Sequence, residues 1–103
     1  MSLHYTIKVS KDHAQVTATW DITVDMASTE MISNFSLKVE GKDLNTQCSG
    51  GNKACNGADY ATLSNPSADC PVSFVITTNK PDEQNGSDVL SGHDTYDEVD
   101  FSG

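Results

Sequence analysis

Apolar and polar residues alternate with a period of two through much of the chain. Leu3, Tyr5, Ile7 and Val9 interleave with His4, Thr6, Lys8 and Ser10. After the polar stretch Lys11-Asp12-His13, the residues Ala14, Val16, Ala18, Trp20, Ile22 and Val24 interleave with Gln15, Thr17, Thr19, Asp21, Thr23 and Asp25. Strands buried on one face produce this pattern, and so short a connection predicts an antiparallel hairpin. Trp20 is in phase with the apolar set. A one-residue slip would bury threonine, aspartate and glutamine instead, so the indole is expected in the core.

A third strand is predicted over 32–40, with Phe35, Leu37 and Val39 on one side and Asn34, Ser36, Lys38 and Glu40 on the other; Gly41 ends it. Residues 42–70 are poor in apolar side chains and are expected to form a long loop, pinned or briefly stranded near Tyr60 and Leu63. Pro71 opens another strand with Val72, Phe74 and Ile76 inward. Residues 79–94 read as a loop, with a turn or a short edge strand near Val89 and Leu90. Val99 and Phe101 predict a last strand. There is no repeat, heptad or helical period. Strands with one apolar face must cover one another, so the expected fold is all-β: an antiparallel two-sheet β-sandwich formed by one domain, 1–103.

Composition narrows the partners. Six Lys+Arg against 15 Asp+Glu give a formal charge of −9. Such a field repels nucleic acid and anionic membrane surfaces. No run approaches a membrane span, and the opening MSLHYTIKVS alternates where a leader would be uniformly apolar. Membrane insertion is therefore not expected. Either no cleaved signal is used, or one has already been removed.

Of the three cysteines, Cys48 and Cys55 flank a short glycine-containing loop, CSGGNKAC, whose ends can meet as a disulfide. The alternative is three reduced thiols. Cys70 is unpaired within the chain in either case, and the spacing lacks the CxxC of a zinc knuckle.

The chain has no GxSxG, HExxH, Walker loop or GxGxxG, and its three histidines are scattered. It reads as a non-enzyme. The stretch from 82 to 100 carries Asp82, Glu83, Asp88, Asp94, Asp97, Glu98 and Asp100. Calcium, which takes about six to eight oxygens, is the cofactor such a stretch would bind, with Asp88, Asp94 and Asp97 as candidate ligands; a solvated acidic surface is the simpler alternative. Neutral sugars need amides, carboxylates and hydroxyls beside an aromatic ring. Gln15, Thr17, Thr19 and Asp21 on one strand and Asn34, Ser36 and Lys38 on another supply the polar groups, and Tyr60 and Tyr96 the rings.

The succession YTIKV, VTATWDITV, ISNFSLKVEG, PVSFVITTN and VDFSG resembles small carbohydrate-binding β-sandwiches. These are bacterial cellulose-binding modules and minimal lectins of the legume-lectin and galectin type, such as slime-mould haemagglutinins. The resemblance implies glycan binding on a sheet face or its loops without catalysis. It departs from those families in having one tryptophan where cellulose-binding modules expose several, and in lacking the galectin signature and the legume-lectin metal motif. A soluble or protein-borne glycan is then the expected partner, with homodimerisation as a source of avidity. Immunoglobulin-like adhesion and scaffold modules fit the same alternation and would bind protein. Two sequons, Asn34-Phe35-Ser36 and Asn85-Gly86-Ser87, and the disulfide candidate lean towards an extracellular or cell-surface setting.

Overall fold

The computed structural model describes residues 2–93 and 95–103. Strands β1 (Leu3–Asp12) and β2 (Gln15–Val24) form the expected hairpin, in register from Leu3 opposite Val24 to Asp12 opposite Gln15. His13 turns the chain with a φ of 56°, the left-handed conformation that two-residue hairpins use. The remaining strands are β3 (Ile32–Val39), β4 (Lys42–Asp43), β5 (Ser49–Asn52), β6 (Ala54–Thr62), β7 (Cys70–Thr78), β8 (Glu83–Leu90) and β9 (Tyr96–Ser102). One sheet has the order β6-β2-β1-β9. The other has the order β4-β3-β7-β8, with β5 also paired to β3. Every pairing is antiparallel. The two sheets pack as a β-sandwich. Among the described residues no helix is long and apolar enough to cross a membrane.

The core lies between the sheets. Ile7, Val9, Val16, Ala18, Trp20 and Ile22 come from the first sheet, and Phe35, Leu37, Val72, Phe74 and Ile76 from the second; all are buried. Trp20 is only 4 % exposed, as its phase required, and its ring lies 5.6 Å from that of Phe35. A second aromatic group joins Tyr5, Phe74 and Phe101, with centroids 5.3 Å and 4.8 Å apart in that order.

Four strands, β4, β5, β6 and β8, lie where loops were expected, and two of them are long. The supposed loop over 42–70 contains the nine-residue β6, which borders β2 from Gln15 opposite Thr62 to Thr23 opposite Ala54. Much of the supposed loop over 79–94 is β8, which flanks β7. Their inward rows are Cys55, Gly57, Asp59 and Ala61 in one, and Gln84, Gly86, Asp88 and Leu90 in the other. Neither row is apolar enough to show in the pattern. Glycine stands where each neighbouring strand sends in an aromatic ring: a Cβ on Gly57 would meet the Trp20 indole at 3.0 Å, and one on Gly86 would meet Phe74 Cε1 at 2.8 Å.

The sandwich buries a charged side chain near each end of β1. Lys11, expected in the turn, belongs to β1 and points inward at 1 % exposure; its Nζ donates to Ser91 O at 2.9 Å. Beyond the other end of β1, Glu30 is 5 % exposed and accepts from Ser2 Oγ at 2.6 Å and Thr78 Oγ1 at 2.7 Å. The Ser2 and Thr78 hydroxyls hold the Glu30 carboxyl below its ordinary range. Asp82 beside it is pushed up, first by burial and then by its hydrogen bond to Glu30. The two shifts oppose each other in pH. The contribution of Glu30 is present above its unfolded value and lost as pH falls through the lowered one. That of Asp82 is present below its unfolded value and lost as pH rises through the raised one. Asp82→Asn, which removes the second charge, is therefore expected to melt above the parent at about pH 8 and to converge with it towards about pH 4. Thermal melts across that range check this, and a difference independent of pH would contradict it.

The Cys48–Cys55 disulfide is present, closing a loop of sequence separation 7 that runs from just before β5 into β6. Cys70 is buried and free, and burial pushes its thiol up.

Candidate functional site

Residues directly opposite one another in antiparallel strands share a face. In the first sheet the outward row of β2 is therefore flanked on both sides. Thr17 lies opposite Tyr60 on β6 and Ser10 on β1, and Ser10 lies opposite Glu98 on β9. One step along, Ala58, Thr19, Lys8 and Asp100 form the next row. Asn56, Asp21, Thr6 and Ser102 form a third. Gln15 aligns with Thr62, Asp12 and Tyr96. The result is a polar surface four strands wide. A depression of about 400 Å³ runs across it, lined by Thr6, Lys8, Thr19, Asp21, Asp100 and Ser102.

Two tyrosines stand on this face at opposite edges. Tyr60, on β6, is 74 % exposed and borders a shallow hollow with Gln15 and Thr17. Tyr96, on β9, is exposed, and its hydroxyl donates to Glu98 Oε1 at 3.2 Å. That bond and the charge of Glu98 push the Tyr96 phenol up. Tyr96 is thus tied to its own strand, whereas the Tyr60 ring stands open.

Lys8 tempers the acidity at the centre, with Nζ 3.6 Å from Glu98 Oε1. Asp100 is pushed above the ordinary carboxylate range by partial burial, and then by its hydrogen bond to Glu98 and the charge there. Glu98 and Asp100 stand next to each other on this face as acceptors. Hydroxyls, an amide, a carboxyl pair and an open phenol ring on one plane can engage several neighbouring hydroxyl groups of a ligand.

The structure brings together Gln15, Thr17, Thr19, Asp21, Tyr60 and Tyr96. It does not bring in Asn34, Ser36 and Lys38. These lie on the outer face of the second sheet, opposite Thr77, Val75 and Ser73 respectively. β2 and β3 occupy different sheets, so their outward rows face away from each other across the core. Ser36 Oγ there donates to Asp43 Oδ1 at 3.4 Å.

The acidic stretch is also distributed over strands. Asp88 Oδ1 accepts from the amide of Val89 at 2.8 Å. Asp97 accepts from the Ser91 amide at 2.7 Å and the Glu98 amide at 2.9 Å, which hold its carboxyl below the ordinary range. Asp94 lies outside the described residues. Among the described residues no three His, Cys, Asp or Glu side chains are grouped so as to hold a metal ion.

Thr6, Lys8, Ser10, Glu98 and Asp100 were not among the expected site residues. The hairpin register alone would have found the first three, because it sets Thr6, Lys8 and Ser10 beside Asp21, Thr19 and Thr17. The other two depend on β9 closing the edge beside β1, which no local pattern encodes.

No protein-family model matches the chain, and no curated protein or solved structure matches it.

Proposed function

We propose that this chain is a non-catalytic, lectin-like domain that holds a neutral glycan on the outer face of the first sheet. The observation that carries the reading is the shared plane of Gln15, Thr17, Thr19 and Asp21 with the open Tyr60 ring beside the depression. The tyrosine stacks on a sugar ring, the hydroxyls exchange hydrogen bonds with its substituents, and Glu98 and Asp100 accept from them. The negative field disfavours anionic ligands. A single small sugar should bind with a Kd on the order of millimolar. Avidity then comes from presenting several copies, a homodimer being the simplest. A disulfide in so small a domain suits an extracellular or cell-surface setting.

An immunoglobulin-like module that binds protein is the rival. It calls for a broad exposed apolar patch. On the second sheet Val75 and Val89 are exposed but lie apart, with the Ser73–Ser87 pair between their rows.

The test is a glycan array with the folded protein presented multivalently, in calcium and again in EDTA. Binding to a coherent family of neutral glycans is expected, unchanged by EDTA. Tyr60→Ala should weaken it about tenfold, the loss of one stacking contact worth roughly 1–1.5 kcal/mol. A blank array in both conditions overturns the proposal, as does binding that Tyr60→Ala leaves intact.

A further inference from the structure

Along one side of the sandwich, β6 edges the first sheet and residues 42–52 edge the second. Leu44 N donates to Leu37 O at 2.9 Å, and Phe35 N to Cys48 O at 3.0 Å, binding this segment to β3. Asn45 N donates to Asp59 Oδ2 at 2.9 Å, and the Cys48–Cys55 disulfide makes a second tie to β6. Between these ties lies a cleft of about 320 Å³, at the small end of the roughly 300–1,000 Å³ found for small-ligand pockets.

The lining is chemically one-sided. Asn45, Gln47, Asn52 and Asn56 bring side-chain amides, Thr46 a hydroxyl and Asp59 a carboxylate. Asp59 is the only ionisable side chain among the lining residues. Trp20, Gly57, the small Ala54 and Ala58 and the bridged Cys55 complete the lining. The indole lies over Gly57 because that residue has no Cβ: one built there would stand 3.0 Å from Cζ2 and 3.3 Å from Nε1. The indole nitrogen is buried and its N–H has no acceptor among the described residues. Buried tryptophan N–H groups ordinarily have one. Gln47 holds the cleft wall with a φ of 53°, a left-handed conformation that non-glycine residues adopt mainly where surrounding structure enforces it.

We propose that this cleft is a second ligand site, adjoining the outer face of the first sheet at Asn56 and Ala58, and that it takes one neutral polyhydroxylated ring. Amides present donors and acceptors together, which matches hydroxyls that both donate and accept. An oxygen of the ligand accepts from Trp20 Nε1. A ring of hexose size suits the volume, and the single carboxylate favours a ligand without negative charge. The site does not depend on the sheet-face reading, since Asn45, Gln47, Asn52 and the Trp20 indole N–H carry it and Tyr60 and Thr19 take no part.

The lone tryptophan makes the test clean, because uniformly ¹⁵N-labelled protein gives one indole N–H cross-peak. The protein is titrated with glucose, galactose, mannose and N-acetylglucosamine up to about 50 mM, well above a millimolar Kd. At least one sugar should move the indole peak saturably, with the backbone amides of Asn45 to Gln47 following the same isotherm. Asn45→Ala and Gln47→Ala, both at exposed positions, should each weaken that isotherm at least fivefold while the spectrum stays dispersed. Tyr60→Ala should leave it unchanged. An indole peak that stays fixed with all four sugars overturns the proposal: a bound water would then satisfy the donor. A shift that vanishes in Tyr60→Ala overturns it too, because the sheet face would be its source. So does a shift whose affinity is unchanged in both cleft variants.

Discussion

Phe35→Ala is expected to lower the free energy of unfolding by about 3–5 kcal/mol, the range for deleting a large buried aromatic side chain. Phe35 is 2 % exposed on β3, the strand at the centre of the second sheet's pairings, and its ring meets that of Trp20 from the first sheet at 5.6 Å. Truncation opens a hole where the two sheets touch, with the rigid indole on the other side of it. Backbone pairing on both edges of β3 keeps the sheet from closing over the gap. Domains of this size have about 5–15 kcal/mol in total, so the variant sits near the limit of folding at 37 °C. Phe35→Leu, which refills most of the volume, should lose far less. Urea unfolding followed by Trp20 fluorescence and by circular dichroism gives both numbers. A loss under about 1.5 kcal/mol for the alanine variant would mean that the sheets repack over the gap.

Reducing the Cys48–Cys55 bridge, or replacing both cysteines with serine, is expected to cost about 2–3 kcal/mol, from the entropy of closing so short a loop. In a domain near 100 residues that is a fall in Tm of roughly 10–20 °C. The bridge ties the segment just before β5 to β6 of the other sheet, so its loss should loosen the cleft wall beside Asn45 and Gln47 first. Hydrogen exchange ought to rise at residues 45–56 before it rises in the β1–β2 hairpin. Cys70 should not confuse the experiment, because its thiol is buried and held protonated. Equal melting temperatures with and without reductant would show that the loop is closed by its other contacts alone.

The strands that could be read directly from the chain are those whose inward rows are mostly apolar. In β1, β2, β3 and β7 core residues alternate with mainly polar ones, and the structure keeps that phase through Trp20, Phe35 and Phe74. β6 and β8 were expected only as brief strands within loops, and their full lengths were hidden for a shared physical reason. Each offers a glycine where its neighbour supplies an aromatic ring, Gly57 beneath Trp20 and Gly86 against Phe74. The core volume there is contributed by one strand and the space for it by the other, so neither shows the pattern of a half-buried strand by itself. Lys11 was hidden differently. A lysine next to a turn reads as solvated unless its acceptor is known, and Ser91 lies 80 residues away.

The expected ligand surface divided along the same line between local and non-local information. Gln15, Thr17, Thr19 and Asp21 share one strand, so their common face followed from the alternation. Whether Asn34, Ser36 and Lys38 joined them depended on which sheet held β3, and sheet membership is set by long-range pairing. Tyr60 falls on the face through the pairing of β6 with β2, opposite Thr17, which a brief strand near Tyr60 did not by itself imply.

The asparagines of the two sequons, Asn34 and Asn85, both lie on the outer face of the second sheet, where Ser36, Val75 and Asn85 form one row. That face is turned away from Tyr60. A biotin or fluorophore coupled through a cysteine placed at Asn85 would therefore hold the molecule on a sensor chip with its first sheet towards the flowing sample. Random amine coupling has no such orientation, since Lys8 stands in the middle of that sheet and would be consumed by the chemistry of attachment.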